Sequence, residues 1–82
     1  MKTSDLYVHE RLRVLTDGAD FEATVVSTQP QLTRVTLEAQ GGFCYLRDHP
    51  VRSGDVQYGL IVWDEFCREE LEWVDAVVDL LS

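Results

Sequence analysis

The sequence predicts an α+β fold: a small antiparallel β-meander of four or five strands, covered on one face by a single C-terminal amphipathic helix. Two observations carry this expectation. Residues 6–46 alternate apolar and polar side chains in short runs, separated by turn residues such as Asp17-Gly18 and Gly41-Gly42, as consecutive antiparallel strands do. Residues 64–81 instead gather Phe66, Cys67, Leu71, Trp73, Val74, Val77, Val78, Leu80 and Leu81 into about half of a helical wheel. Strands first and a helix last favour α+β over alternating α/β.

Leu6, Val8, Leu12 and Val14 share one face of a period-two run over residues 6–16, with Glu10 as the exception. Thr3 and Ser4 leave a short helical first turn as the alternative. Asp17-Gly18 is a strong hairpin signal, because the tight hairpin turn needs residues that tolerate positive φ at both central positions. Phe21 to Thr28 then reads as the return strand, and Gln29-Pro30-Gln31 ends it, since proline donates nothing to a ladder. Leu32 to Gln40 alternates Val35, Leu37 and Ala39 with Arg34, Thr36 and Glu38, a half-buried third strand. Phe43–Leu46 is a short fourth, ended by Asp48-His49-Pro50. Ser53-Gly54-Asp55 is a turn, and Val56 to Trp63 is rich in β-branched and aromatic residues, which favours a strand. The rival is a long helix from Ser53, because Val56, Leu60, Trp63 and Cys67 also have helical spacing; Gly59 and Ile61-Val62 weaken it. Asp64 suits the N-cap of the last helix, with Glu65 in its first turn.

The chain has 82 residues, with 7 Lys and Arg against 15 Asp and Glu, and 45% apolar residues. That composition describes one globular domain, residues 1–82, rather than a disordered acidic tail. No apolar run approaches the ~20 residues that span a bilayer. Met1-Lys2-Thr3-Ser4-Asp5 lacks the apolar core of a signal peptide. A cytoplasmic location is therefore expected. The net charge of −8 argues against direct contact with nucleic acid or an anionic membrane.

The charge is unevenly placed. Residues 1–54 are net −1, whereas residues 55–82 carry Arg68 alone against eight carboxylates, net −7. On a helical wheel Asp64, Glu65, Glu72, Asp75 and Asp79 form a stripe opposite the apolar face. Asp75 and Asp79 then fall near a helix C-terminus, where anions are disfavoured by ~0.3–1 kcal/mol each. Local violations of this kind mark functional sites. Glu70 falls at the centre of the apolar face, where an unpaired carboxylate is costly. It requires an arginine partner, Arg11, Arg13 or Arg34, or a wet subunit interface.

Catalytic and metal-binding motifs are weak. Cys44, Cys67, His9 and His49 add up to a zinc-like donor count, but their spacing includes no C-x₂-C and no H-x₃₋₅-H. A Cys44–Cys67 disulfide suits only an oxidising compartment. Neither cysteine can be assigned a base, and there is no phosphate-binding glycine loop. No enzyme activity, cofactor or metal is expected.

The reading that follows is a small acidic protein-interaction domain, an inhibitor that binds and blocks the basic, nucleic-acid-binding surface of a partner protein. Its size and charge are similar to those of phage-type inhibitors, anti-CRISPR proteins among them. The expected binding residues are Asp64, Glu65, Glu69, Glu72, Asp75 and Asp79, with Trp73 as an anchor beside the stripe. On a helix the stripe carries about one charge per 4 Å, against one per ~1.7 Å for duplex DNA, so a local plug fits better than a full-length nucleic-acid mimic. The alternative is an oligomeric structural or accessory subunit. In either case a homodimer is expected, because a wide apolar face stands beside a small core.

Overall fold

The computed structural model describes every residue but Asp64, Cys67 and Ser82, and only the backbone of Ile61, Val62, Trp63 and Glu69. Six strands run in chain order: β1 (Arg11–Thr16), β2 (Ala19–Gln29), β3 (Arg34–Ala39), β4 (Gly42–Asp48), β5 (Val56–Trp63) and β6 (Glu69–Leu80). Each pairs antiparallel with the next, and β6 pairs with β1, so the sheet closes into a barrel. Short 3₁₀ turns at Thr3–Asp5 and Pro30–Leu32 complete the regular structure. Among the described residues no helix is long and apolar enough to cross a membrane.

The barrel forms because each strand offers an alternating apolar face. Leu12 and Val14 from β1, Ala23 and Val25 from β2, Val35 and Leu37 from β3, Cys44 and Leu46 from β4, and Val56 from β5 are buried together. Ala76 and Val78 pack against them from β6. A bulge in β2 between Val25 and Ser27 shifts the register against β3, a device that bends a strand and increases its twist. The N-terminal segment covers one end: Leu6 and Thr3 are buried, and the Thr3 amide donates to the Asp48 carboxylate at 2.7 Å.

The α+β expectation, with a helix covering a four- or five-stranded meander, is therefore corrected. The chain is all-β, and the segment read as the helix is the sixth strand. Helical spacing misleads here because β6 carries apolar residues on both faces. Val74, Ala76 and Val78 continue the face that lines the barrel, whereas Leu71, Trp73 and Val77 belong to the other. Such a run imitates a wide helical stripe. Its β-branched and aromatic content (Trp73, Val74, Val77, Val78) suits a strand, and closure gives it partners on two sides, where β1 and β5 would otherwise end as open edges. Val77, a core residue on the helical reading, is 61% exposed. Glu70 is exposed as well, so the fold removes the buried carboxylate that the helix required. An Asp64 N-cap falls with the helix, and Asp64 itself lies outside the described residues.

β5 has the bounds read from the sequence. Its Gly59 sits opposite Trp73, and the indole lies flat on it: a Cβ built at Gly59 would stand 2.6 Å from the Trp73 ring. The ring thus covers backbone that a glycine leaves bare, the cross-strand arrangement known to stabilise glycines in sheets. Gly59→Ala is expected to expel the indole and cost about 1–3 kcal/mol, the usual range for overpacking. Thermal unfolding monitored by tryptophan emission checks both effects together.

Candidate functional site

The strand pairing gives β5 and β6 an unusual reach. β4 follows β5 only as far as Tyr45↔Gly59, and β1 follows β6 only as far as Leu15↔Val77. Beyond these points β5 and β6 pair with each other alone, through Leu60↔Glu72, Ile61↔Leu71, Val62↔Glu70 and Trp63↔Glu69. At ~3.3 Å per residue, the four steps past Gly59 carry a two-stranded arm roughly 13 Å beyond the β4–β5 pairing, plus its tip. Both outer edges of the arm expose unpaired backbone groups, which is the geometry of strand addition.

The arm collects much of the negative charge. Residues 60–73 hold Asp64, Glu65, Glu69, Glu70 and Glu72 against Arg68. Glu65, Glu70 and Glu72 are exposed, and so are the apolar Leu60 and Phe66, at 46% and 67%. Arg68 stacks over the Phe66 ring at the tip, 5.2 Å from its centroid. Glu70 and Glu72, two residues apart on one strand, are spaced by roughly 6.6 Å.

The predicted stripe is thus divided. Glu65 and Glu72 stand on the arm, with the backbone of Glu69; the Glu69 side chain and Asp64 lie outside the description. Asp75 and Asp79 belong to the barrel wall. Asp75 accepts hydrogen bonds from Arg52 and from Gln57, and His49 Nε2 stands 3.7 Å away. The Arg52 guanidinium, then the Gln57 amide, hold its carboxyl below the usual range. That contribution is present above the usual carboxylate range and is lost as pH falls through the depressed value. Asp79 is opposite Arg13. Neither aspartate is at a helix end, so the dipole argument for them does not apply. Trp73 is half-buried between Gly59 and Arg47, whose guanidinium lies 4.3 Å from the ring centroid. Glu70 and Leu60 are arm residues that the sequence reading did not select. A period-two count through 69–80 would have placed Glu70 with Glu72 on one face; Leu60 joins them through the pairing of β5 with β6.

At the foot of the arm Phe21, Cys44, Tyr58 and Leu60 line a recess of about 220 Å³. Tyr58 meets Phe21 edge to face, with centroids 5.3 Å apart. Burial pushes the Cys44 thiol up, the opposite of what activates a nucleophile. Burial, and then the neighbouring Cys44, push the Tyr58 hydroxyl up to about 12. A group raised in the folded state stabilises it fully below the unfolded value and loses that effect as pH rises through the folded one. Stability is therefore expected to fall between pH 10 and about 12, and less so in Tyr58→Phe; denaturant titrations across that window, with tyrosinate absorbance, test this. Among the described residues no three His, Cys, Asp or Glu side chains are grouped to hold a metal; Cys67 lies outside them. Compared with known proteins, the chain matches no family model, no curated relative and no solved structure.

Proposed function

We propose that this protein is a binding domain whose docking element is the β5–β6 arm, and that its partner is a protein with a basic surface. The observation that supports this reading is the arm itself: it extends past the barrel, exposes Glu65, Glu70 and Glu72, and leaves both strand edges open. Carboxylates steer the arm towards a basic surface and set orientation. Leu60 and Phe66 supply apolar contact, and the open edges supply backbone hydrogen bonds. Where that basic surface is the partner's nucleic-acid-binding site, occupation by the arm blocks it, so the domain acts as an inhibitor.

The test is the variant Glu65→Gln, Glu70→Gln, Glu72→Gln. Proteins retained by the wild type from a bacterial lysate at low salt are identified, and their affinity for both forms is measured. Basic nucleic-acid-binding partners, lost with the variant, support the reading; equal retention by both forms contradicts it. A second reading, an accessory subunit assembled as a homodimer, is favoured by the same open edges together with exposed Val74, Val77 and Leu80. Sedimentation at ~100 μM separates the two, since an interface of ~8 kcal/mol would be mostly assembled there.

A further inference from the structure

The register lays two parallel rows across the outer wall of the barrel. One runs Gln29, Arg34, Arg47, Gln57 and Asp75 from β2 to β6; the other runs Ser27, Thr36, Tyr45, Gly59 and Trp73. In the first row Arg34 and Arg47 are directly opposite each other on β3 and β4. Like charges in that position repel, and neither arginine has a carboxylate partner among the described residues. The nearest carboxylate of the row, Asp75, is two strands away from Arg47 and is engaged by Arg52.

Both guanidinium planes are held. Arg34 lies over the Tyr45 ring at 5.0 Å, and Arg47 over Trp73 at 4.3 Å. Trp73 is itself backed by Gly59. One edge of Arg47 is fixed, since Nε and one terminal nitrogen donate to Gln57 Oε1 at 3.0 and 2.7 Å, and Gln57 donates onward to Asp75 at 3.2 Å. Arg34 makes no such bond, and its Nε is buried without an acceptor. The wall therefore carries two guanidinium groups from neighbouring strands, each held over an aromatic ring and neither paired with a carboxylate among the described residues. An oxyanion that accepts from both resolves the repulsion and uses the planar donors as arginine binds them best, in pairs.

We infer that Arg34 and Arg47 form a binding site for a phosphate monoester, recognised through its phosphoryl group. Tyr45 and Trp73 orient the guanidinium groups and do not hold the rest of the ligand, since each already presents a face to an arginine. The inference does not rest on the role of the arm.

The test follows the side-chain Nε–Hε resonances of the intact protein by NMR during titration with inorganic phosphate, AMP and O-phosphoserine. Adenosine and sodium chloride at matched ionic strength serve as controls. The Arg34 and Arg47 signals are expected to shift with all three phosphates and with neither control. Tighter binding of AMP or of phosphoserine then identifies a nucleotide or a phosphorylated side chain as the source. Arg34→Gln is expected to weaken binding at least tenfold. Arg47→Lys, which keeps the charge and loses the fork, is expected to do the same, with backbone resonances elsewhere unchanged. Absence of shifts, equal shifts with chloride, or undiminished affinity in both variants would overturn the inference.

Discussion

Leu46→Ala is expected to lower the unfolding free energy by about 2–5 kcal/mol, the range found when a buried leucine is truncated and its cavity only partly collapses. Leu46 is 0% exposed. It stands between Val35 on β3 and Tyr58 on β5, so the loss is felt on both sides. A domain of this length is typically stable by about 4–12 kcal/mol, so the variant forfeits a large part of the total. The melting temperature should drop by roughly 10–30 °C. Denaturant unfolding gives the same answer if the midpoint moves while the slope is unchanged. Val77→Asp supplies the contrast: on a helix covering a sheet it would bury a charge, but on β6 it adds one to an exposed position and should leave stability nearly unaltered.

Neutralising the arm should have the opposite profile, with little change in stability and a large change in binding. Glu65, Glu70 and Glu72 are exposed, and glutamines of nearly equal shape remove charge alone. Electrostatic steering raises association rates from about 10⁵–10⁶ to as much as 10⁸–10⁹ M⁻¹s⁻¹ at low salt. Removing three of the arm's carboxylates should therefore weaken capture of a basic partner by roughly 10- to 100-fold at low ionic strength. The difference should narrow towards physiological salt, where the screening length falls to about 8 Å. Asp75→Asn is the informative comparison. Asp75 is tied to Arg52 and Gln57, so its loss should loosen the 49–55 loop, read as faster amide exchange, without the same fall in association rate.

Much of the barrel is legible from local pattern. β5 is read with its observed limits, and β2, β3 and β4 differ from the reading by a few residues at their ends. In β2, β3 and β4 apolar residues alternate with largely polar ones, glycine or proline marks the turns, and β5 is read from its β-branched and aromatic content. β1 begins later than the run from Leu6 implies, because a turn intervenes in which His9 takes a φ of 78°. β6 is misread because alternation fails when both faces are apolar. On its barrel side Ala76 and Val78 meet the core, and on its outer side Trp73 covers Gly59. Glu70 marked the conflict, since a helix would have buried it.

The site divides in the same way. That the last third carries the negative charge is visible in composition. Which carboxylates are engaged is not, because Arg52 reaches Asp75 from a distant part of the chain. The adjacency of Arg34 and Arg47 is likewise a product of register, which no local window contains.

The claim on which the arm and the barrel both depend is that residues 69–80 form a strand shared between β5 and β1. Nuclear Overhauser contacts across that closure test it directly. The account predicts backbone contacts between Val14 and Val78 and between Leu12 and Leu80, together with contacts between Leu60 and Glu72 along the arm. Medium-range helical contacts through residues 69–80, with none across to β1, would contradict it.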